Sequence, residues 1–232
     1  MSTPETCIEV LRVLVRNLSL ASASFTLVEH PVGVNWRVQH QSVGEKLGFL
    51  EEGLIQNGPA NRVALRGSDI LRPDFSPGKF LLSQDHVISV SSLVQSGDAR
   101  AHLALMNLHP EQGVEYFALA RALGLITPNM PGYLLSSGRY YHFYGLAILS
   151  EPEWLRFLAQ FLMPTVIVSP RYIGHCLHRG YATLRLTTHR LYKPELPCVC
   201  QFLGDSCFPA VPRPTIAGDD VEPGTRPRLS VG

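Results

Sequence analysis

The sequence predicts an α+β fold, a mixed sheet with flanking helices, built as one domain or as two fused subdomains. Two observations carry that prediction. Short apolar runs of strand character, such as Ala101–Leu108 and Tyr140–Leu149, are interspersed with stretches whose apolar residues recur at helical spacing. At 232 residues and 45% hydrophobic, the chain is also long and apolar enough to bury a sizeable core.

Taken in order, Thr3 caps a first helix with Pro4 at its first position, and Ile8, Leu11, Val15 and Leu18 fall on one face. Residues 24–40 read as two β segments broken at His30-Pro31, and residues 46–56 as a helix ended by Asn57-Gly58-Pro59. Short strands and turns follow from Arg62 to Val94, with residues 69–79 loop-like around Pro73, Pro77 and Gly78. Ala101–Leu108 reads as a buried strand. Pro110 opens a helix with Val114, Phe117, Ala118, Ala122 and Leu125 as its stripe and Gly124 near its end. A strand or turn at Tyr133–Gly138 leads into the strand Tyr140–Leu149. Ser150-Glu151-Pro152-Glu153 is a capping box; its helix carries Trp154, Leu155, Leu158 and Leu162 and stops at Pro164. Thr165–Val168 reads as a short strand, Arg171–Arg179 as a helix and Tyr181–Leu186 as a strand. The expected organisation is an N-terminal α/β subdomain (1–99), a core (100–207) and a disordered Pro/Gly-rich tail (208–232).

A net charge of +1 excludes a globally basic nucleic-acid coat, so attraction for a polyanion has to come from a local patch. No stretch is long and apolar enough to span a membrane. Residues 1–10 lack the basic region followed by an apolar region that marks a secretory signal. Five cysteines, an odd number in a chain too large to need disulfide staples, point to a reducing compartment, with the cytoplasm as the expected location.

The residues that carry chemistry gather between 131 and 186. His142 lies in an aromatic strand directly after Ser136-Ser137-Gly138-Arg139. A lone strand histidine is ordinarily a satisfied core residue; a preceding turn able to offer backbone N–H groups to an anion gives nucleotide binding equal weight. Arg171, His175 and Arg179 share one helical face at four-residue spacing, and Arg185 follows, with no acid between Arg156 and Arg190 to pair with them. Arginine suits phosphate because its planar fork binds two oxygens at once. Tyr140 and Tyr144 share His142's face by strand alternation and would stack on bases. His189, Cys198, Cys200 and Cys207 are four residues of the two types that most often bind zinc. Their Cys-x-Cys spacing, with Phe202-Leu203 before the third cysteine, reads instead as free buried thiols.

A strand, a turn, a helix, a Ser-Gly turn feeding a strand with an inward histidine, another helix, and an arginine-rich segment: this order resembles the archaeo-eukaryotic primase superfamily, the PrimPol-like catalytic domain. The resemblance covers roughly residues 100–187, the primase-like part of the core. Ser136-Ser137-Gly138-Arg139-Tyr140-Tyr141-His142 is similar to the family's second motif, and Arg171 through Arg185 to the region of its third. The family's first motif is a pair of aspartates one residue apart that hold two divalent metals. Its place here is Met106-Asn107-Leu108-His109-Pro110, so Asn107 and His109 stand where the acids would be. The third-motif aspartate falls at Val168-Ser169-Pro170.

The resemblance therefore implies a pseudoenzyme that binds nucleotides and single-stranded DNA or RNA, with nucleotidyl transfer lost or weakened. Ser137, Arg139 and His142 would hold the nucleotide; Arg171, His175, Arg179 and Arg185 would contact triphosphate or backbone. Asn107 and His109 mark the altered catalytic metal positions. Two further readings stand beside this one. The first is an active DNA primase/polymerase using Mn²⁺ or Mg²⁺ with a nucleoside triphosphate, His109 being a metal ligand; zinc is not expected as a cofactor. The second is a structural or assembly subunit with a protein partner and no catalysis. No membrane partner is expected.

Overall fold

The computed structural model describes residues 3–31, 61–111, 113–164, 166–190 and 193–204. The β segment expected up to residue 40, the helix expected over 46–56 and the tail from 208 lie outside the described residues.

The chain folds as α+β. Eight strands form one sheet: β1 (Ser24–Pro31), β2 (Asn61–Arg66), β3 (His86–Ser96), β4 (Ala99–Leu108), β5 (Gly132–Ser136), β6 (Tyr141–Leu149), β7 (Thr183–Arg185) and β8 (Cys198–Leu203). Their order is β2-β1-β3-β4-β6-β5-β8, with β7 joined to β3 beside that path, and every described pairing is antiparallel. Among the described residues five α-helices accompany it: α1 (Cys7–Asn17), α2 (Gly67–Leu71), α3 (Tyr116–Ile126), α4 (Glu151–Leu162) and α5 (Pro170–Arg179).

Several elements depart from the expected bounds, each for a local reason. Helix α1 starts at Cys7 rather than at Pro4. Thr6 and Glu9 form a reciprocal capping box, and the position three residues after Thr3 is a threonine that cannot close one. The face it buries is Cys7, Val10, Leu11, Leu14 and Val15. Helix α3 starts at Tyr116, because residues 110–111 and 113–115 are loop, with Gly113 at a φ of 91°. Its buried face is accordingly Leu119, Ala120 and Leu123, and the expected stripe residues Phe117 and Leu125 are exposed. Helix α4 begins where the Ser150–Glu153 box predicts, with both reciprocal bonds made. It buries Trp154, Phe157, Leu158 and Phe161, whereas Leu155 and Leu162 face outward. Residues 166–168 form a bend and no strand, pinned by the His109 N–H donating to the Ile167 carbonyl at 2.7 Å. Strand β8 was not anticipated.

The sheet forks along β3. Residues 89–91 pair with β7, and residues 93–96 pair with β4. The switch falls on Ser92, which is fully buried. Its N–H donates to the Ala182 carbonyl (2.8 Å), its hydroxyl oxygen accepts the Ala182 N–H (2.9 Å), and the hydroxyl meets His102 Nδ1 at 3.2 Å. The other ring nitrogen of His102 lies 3.3 Å from Glu151 Oε2, and the ring stacks on Trp154 with centroids 4.2 Å apart. All atoms are satisfied when Ser92 donates to Nδ1 and Nε2–H donates to Glu151. Beyond the fork the end of β4 pairs with β6 and, among the described residues, no longer with β3.

Replacing Ser92 by alanine strands the Ala182 N–H and His102 Nδ1 in the core. The expected loss is about 1–3 kcal/mol, read as a lower urea midpoint with unchanged m-value. A midpoint equal to wild type would mean that the fork does not depend on this hydroxyl.

Candidate functional site

Antiparallel register sets the site. Asn107 of β4 is paired directly with His142 of β6, so their side chains leave the same face of the sheet side by side. Tyr144, two residues on, shares that face. The Asn107 Oδ1, His142 Nδ1 and Tyr144 hydroxyl are all buried without a hydrogen-bond partner, as is Nδ1 of His109 just past the end of β4. Four unpartnered polar atoms in one region of a core is costly and marks a place built for a ligand or for water. The His109 ring packs edge-on against Tyr140 at 4.3 Å and lies 6.1 Å from Tyr172 of α5.

Both histidines are held neutral. Burial lowers the pKa of His142 to about 3, helped by Arg185 and Lys193 nearby, and lowers that of His109 to about 4, helped by Lys193. The charges acting on these two rings among the described residues are all positive.

Arg185 lies buried at the end of β7. Its guanidinium donates to the carbonyls of Thr187, Glu195 (2.8 Å) and Ser137 (3.0 Å). Lys193 was not singled out from the sequence, because it stands alone in a Pro/Leu-rich stretch. Its N–H and carbonyl both bond His189, closing a small bridge, and its Nζ lies 5.4 Å from the centroid of the Tyr140 ring. Arg139 approaches the same ring, with Cζ at 5.5 Å.

The turn before β6 is internally bonded. The Ser137 N–H and hydroxyl both donate to the Tyr140 carbonyl (2.8 and 3.0 Å), and the Gly138 N–H points to Ser136 Oγ at 3.4 Å. Two of the N–H groups the sequence offered to an anion are thus engaged within the turn. Gly138 has a φ of 89°, the left-handed conformation this closure requires. Beside the turn opens a cleft of about 810 Å³ lined by Pro110, Val114, Tyr116, Phe117, Arg139 and Tyr140, with Glu111 and Glu115 on its wall. Tyr140 thereby borders both the cleft and the buried polar group around His109.

Helix α5 backs the site with one face and carries cations on another. Ile173 and Cys176 are buried, whereas Arg171 and His178 are exposed and His175 and Arg179 half-buried. Gly180 ends the helix at a φ of 75°. Arg171 Nε lies 3.4 Å from His175 Nε2, and the His175 pKa is lowered by burial and by Arg179, Arg171 and His178.

The residues of the other metal reading are scattered. His189 is buried, Cys198 exposed and Cys200 half-buried, and Cys207 lies outside the described residues. Among the described residues no three His, Cys, Asp or Glu side chains come together as a metal site. The two Mg²⁺ ions of primase-type transfer need anionic oxygen ligands. An amide, two neutral imidazoles and two nearby cations do not fit them.

A family model described as AEP-like, archaeo-eukaryotic primase 1D-like, matches residues 79–198, just over half of the chain. That span contains Asn107, His109, His142, Arg185 and Lys193. No curated protein and no solved structure matches. No helix among the described residues is long and apolar enough to cross a membrane.

The depressed histidine pKa values give the fold a defined acid response. The unfolded chain takes up protons on histidine below about pH 6.5, and the folded site does not. Stability is therefore full above that pH and is lost as pH falls toward the folded value near 3 for His142. For His142 alone the loss at pH 4.5 is on the order of 2 kcal/mol. Urea midpoints measured between pH 7 and 4.5 should fall steeply in wild type and more gently in His142→Leu. Parallel curves would show that His142 is protonated in the folded protein.

Proposed function

The chain belongs to the archaeo-eukaryotic primase 1D-like family, and on that premise we propose that it binds a nucleoside triphosphate at the sheet fork and no longer performs two-metal nucleotidyl transfer. One observation carries this reading. Asn107, His109 and His142 bring unpartnered polar atoms together where, among the described residues, the charges acting on the two histidines are positive, in segments that resemble the family's first and second motifs.

An anion is what such a centre favours. Lys193 and Arg185 supply a positive field in a partly desolvated place, where it is weakly screened. The amide of Asn107 turns its NH₂ toward an oxygen by a half rotation, and each neutral imidazole offers one N–H. The cleft beside Tyr140, with exposed Tyr116 and Phe117, provides aromatic faces for a base. Helix α5 extends the positive field outward, with Arg171, His175 and Arg179 one helical turn apart, a geometry suited to a single-stranded backbone.

Calorimetric titration of nucleoside triphosphates into the full chain should show binding that His142→Ala abolishes. Primer extension with Mg²⁺ or Mn²⁺ should show no incorporation. Metal-dependent incorporation that disappears in His109→Ala would instead establish an active polymerase with altered ligands. An absence of heat with every nucleotide would remove the nucleotide reading and leave an assembly role.

For α5, binding of an oligodeoxythymidine should weaken with salt. The double variant Arg171→Gln/Arg179→Gln should reduce the log–log salt slope by about 1.4, two phosphate contacts at roughly 0.7 each. An unchanged slope would take the nucleic-acid path off this helix.

A further inference from the structure

We propose that Lys193 takes the place of the divalent ions, so that phosphate binding at the fork is independent of metal and its ε-ammonium is the principal partner of the phosphate charge. This rests on the nucleotide reading above and specifies how the site holds its ligand.

Three observations place Lys193 in that role. The pair of hydrogen bonds between the His189 and Lys193 main chains fixes its origin, and its Nζ reaches the face of Tyr140, the ring that packs on His109. The side chain is thereby close enough to act on both His109 and His142. Arg185, which with Lys193 acts on His142, has its guanidinium bonded to the carbonyls of Thr187, Glu195 and Ser137, so it contributes charge but is committed to the main chain. Lys193 carries three rotatable donors on a flexible stem, the geometry of a point-charge phosphate binder.

The charge balance agrees. Two aspartates and two Mg²⁺ ions form a site that is net positive only while metal is bound. Neutral Asn107 and His109 beside a lysine form a site that is positive without metal. Bringing Mg²⁺ into that site would set it against Lys193 and Arg185, and neither Asn107 nor His109 supplies a carboxylate to offset the repulsion.

The test uses sodium tripolyphosphate as the probe, titrated calorimetrically into the full chain in EDTA and then in Mg²⁺. Wild type should bind in EDTA, and Mg²⁺ should not tighten binding. Lys193→Gln should weaken it tenfold or more, and Lys193→Arg should restore most of the loss, with thermal melts confirming that both variants fold. Binding seen only with Mg²⁺, or undiminished in Lys193→Gln, overturns the proposal and leaves the nucleotide reading standing. No binding in either buffer overturns both.

Discussion

The fork at Ser92 is the constraint on which the rest of the structure depends. One hydroxyl, accepting from Ala182 and facing His102, lets β3 release β4 and take β7 instead. Nothing in that arrangement is solvated, so each of its atoms has to find its partner within the protein. The same histidine stacks on Trp154 and reaches Glu151, so the capped start of α4 is anchored to the fork. Strand divergence and helix placement thus meet at one buried hydroxyl.

What was legible in the sequence was what periodicity and capping chemistry encode. The strands at 99–108 and 141–149 carry apolar runs, and Ser150–Glu153 announces α4 through reciprocal side-chain bonds. Helix faces were harder. Phe117 and Leu125 matched a helical stripe as well as Leu119 and Leu123 do, and only packing against β8 decides between them. Strand β8 itself reads poorly because it is an edge strand with half-exposed side chains. For the site, His142 was visible from its setting, and Asn107 and His109 from the family resemblance. The pairing of Asn107 with His142 was not, since register between strands more than thirty residues apart is a tertiary property. Lys193 was invisible for the same reason: its importance comes from what it approaches.

Burial, the largest influence on both His142 and His109, strips the imidazoles of charge, and cations close by reinforce that effect. Neutral rings cannot themselves attract a phosphate through charge. They shape and donate, while the field comes from Lys193 and Arg185. On the proposed reading, a site that carries Asn107 and His109 in place of acids and keeps its nearby cations would attract an anion without a metal.

Arg185 shows how tightly these parts are coupled. One guanidinium binds the carbonyl of Ser137 in the turn before β6, that of Thr187 after β7, and that of Glu195 beyond the Lys193 bridge. Charged hydrogen bonds of this kind are worth roughly 1.5–3 kcal/mol each when buried. The turn that presents Tyr140, the strand that presents His142 and the bridge that presents Lys193 therefore share a single tie point. A cation placed only to meet ligand would leave these segments to set their own spacing. A cation spent on three carbonyls instead fixes the distance between Lys193 and Tyr140, and through Tyr140 the approach to His109. Arg185 thus governs the site by positioning it, and the flexible lysine is left as the charge able to follow a ligand.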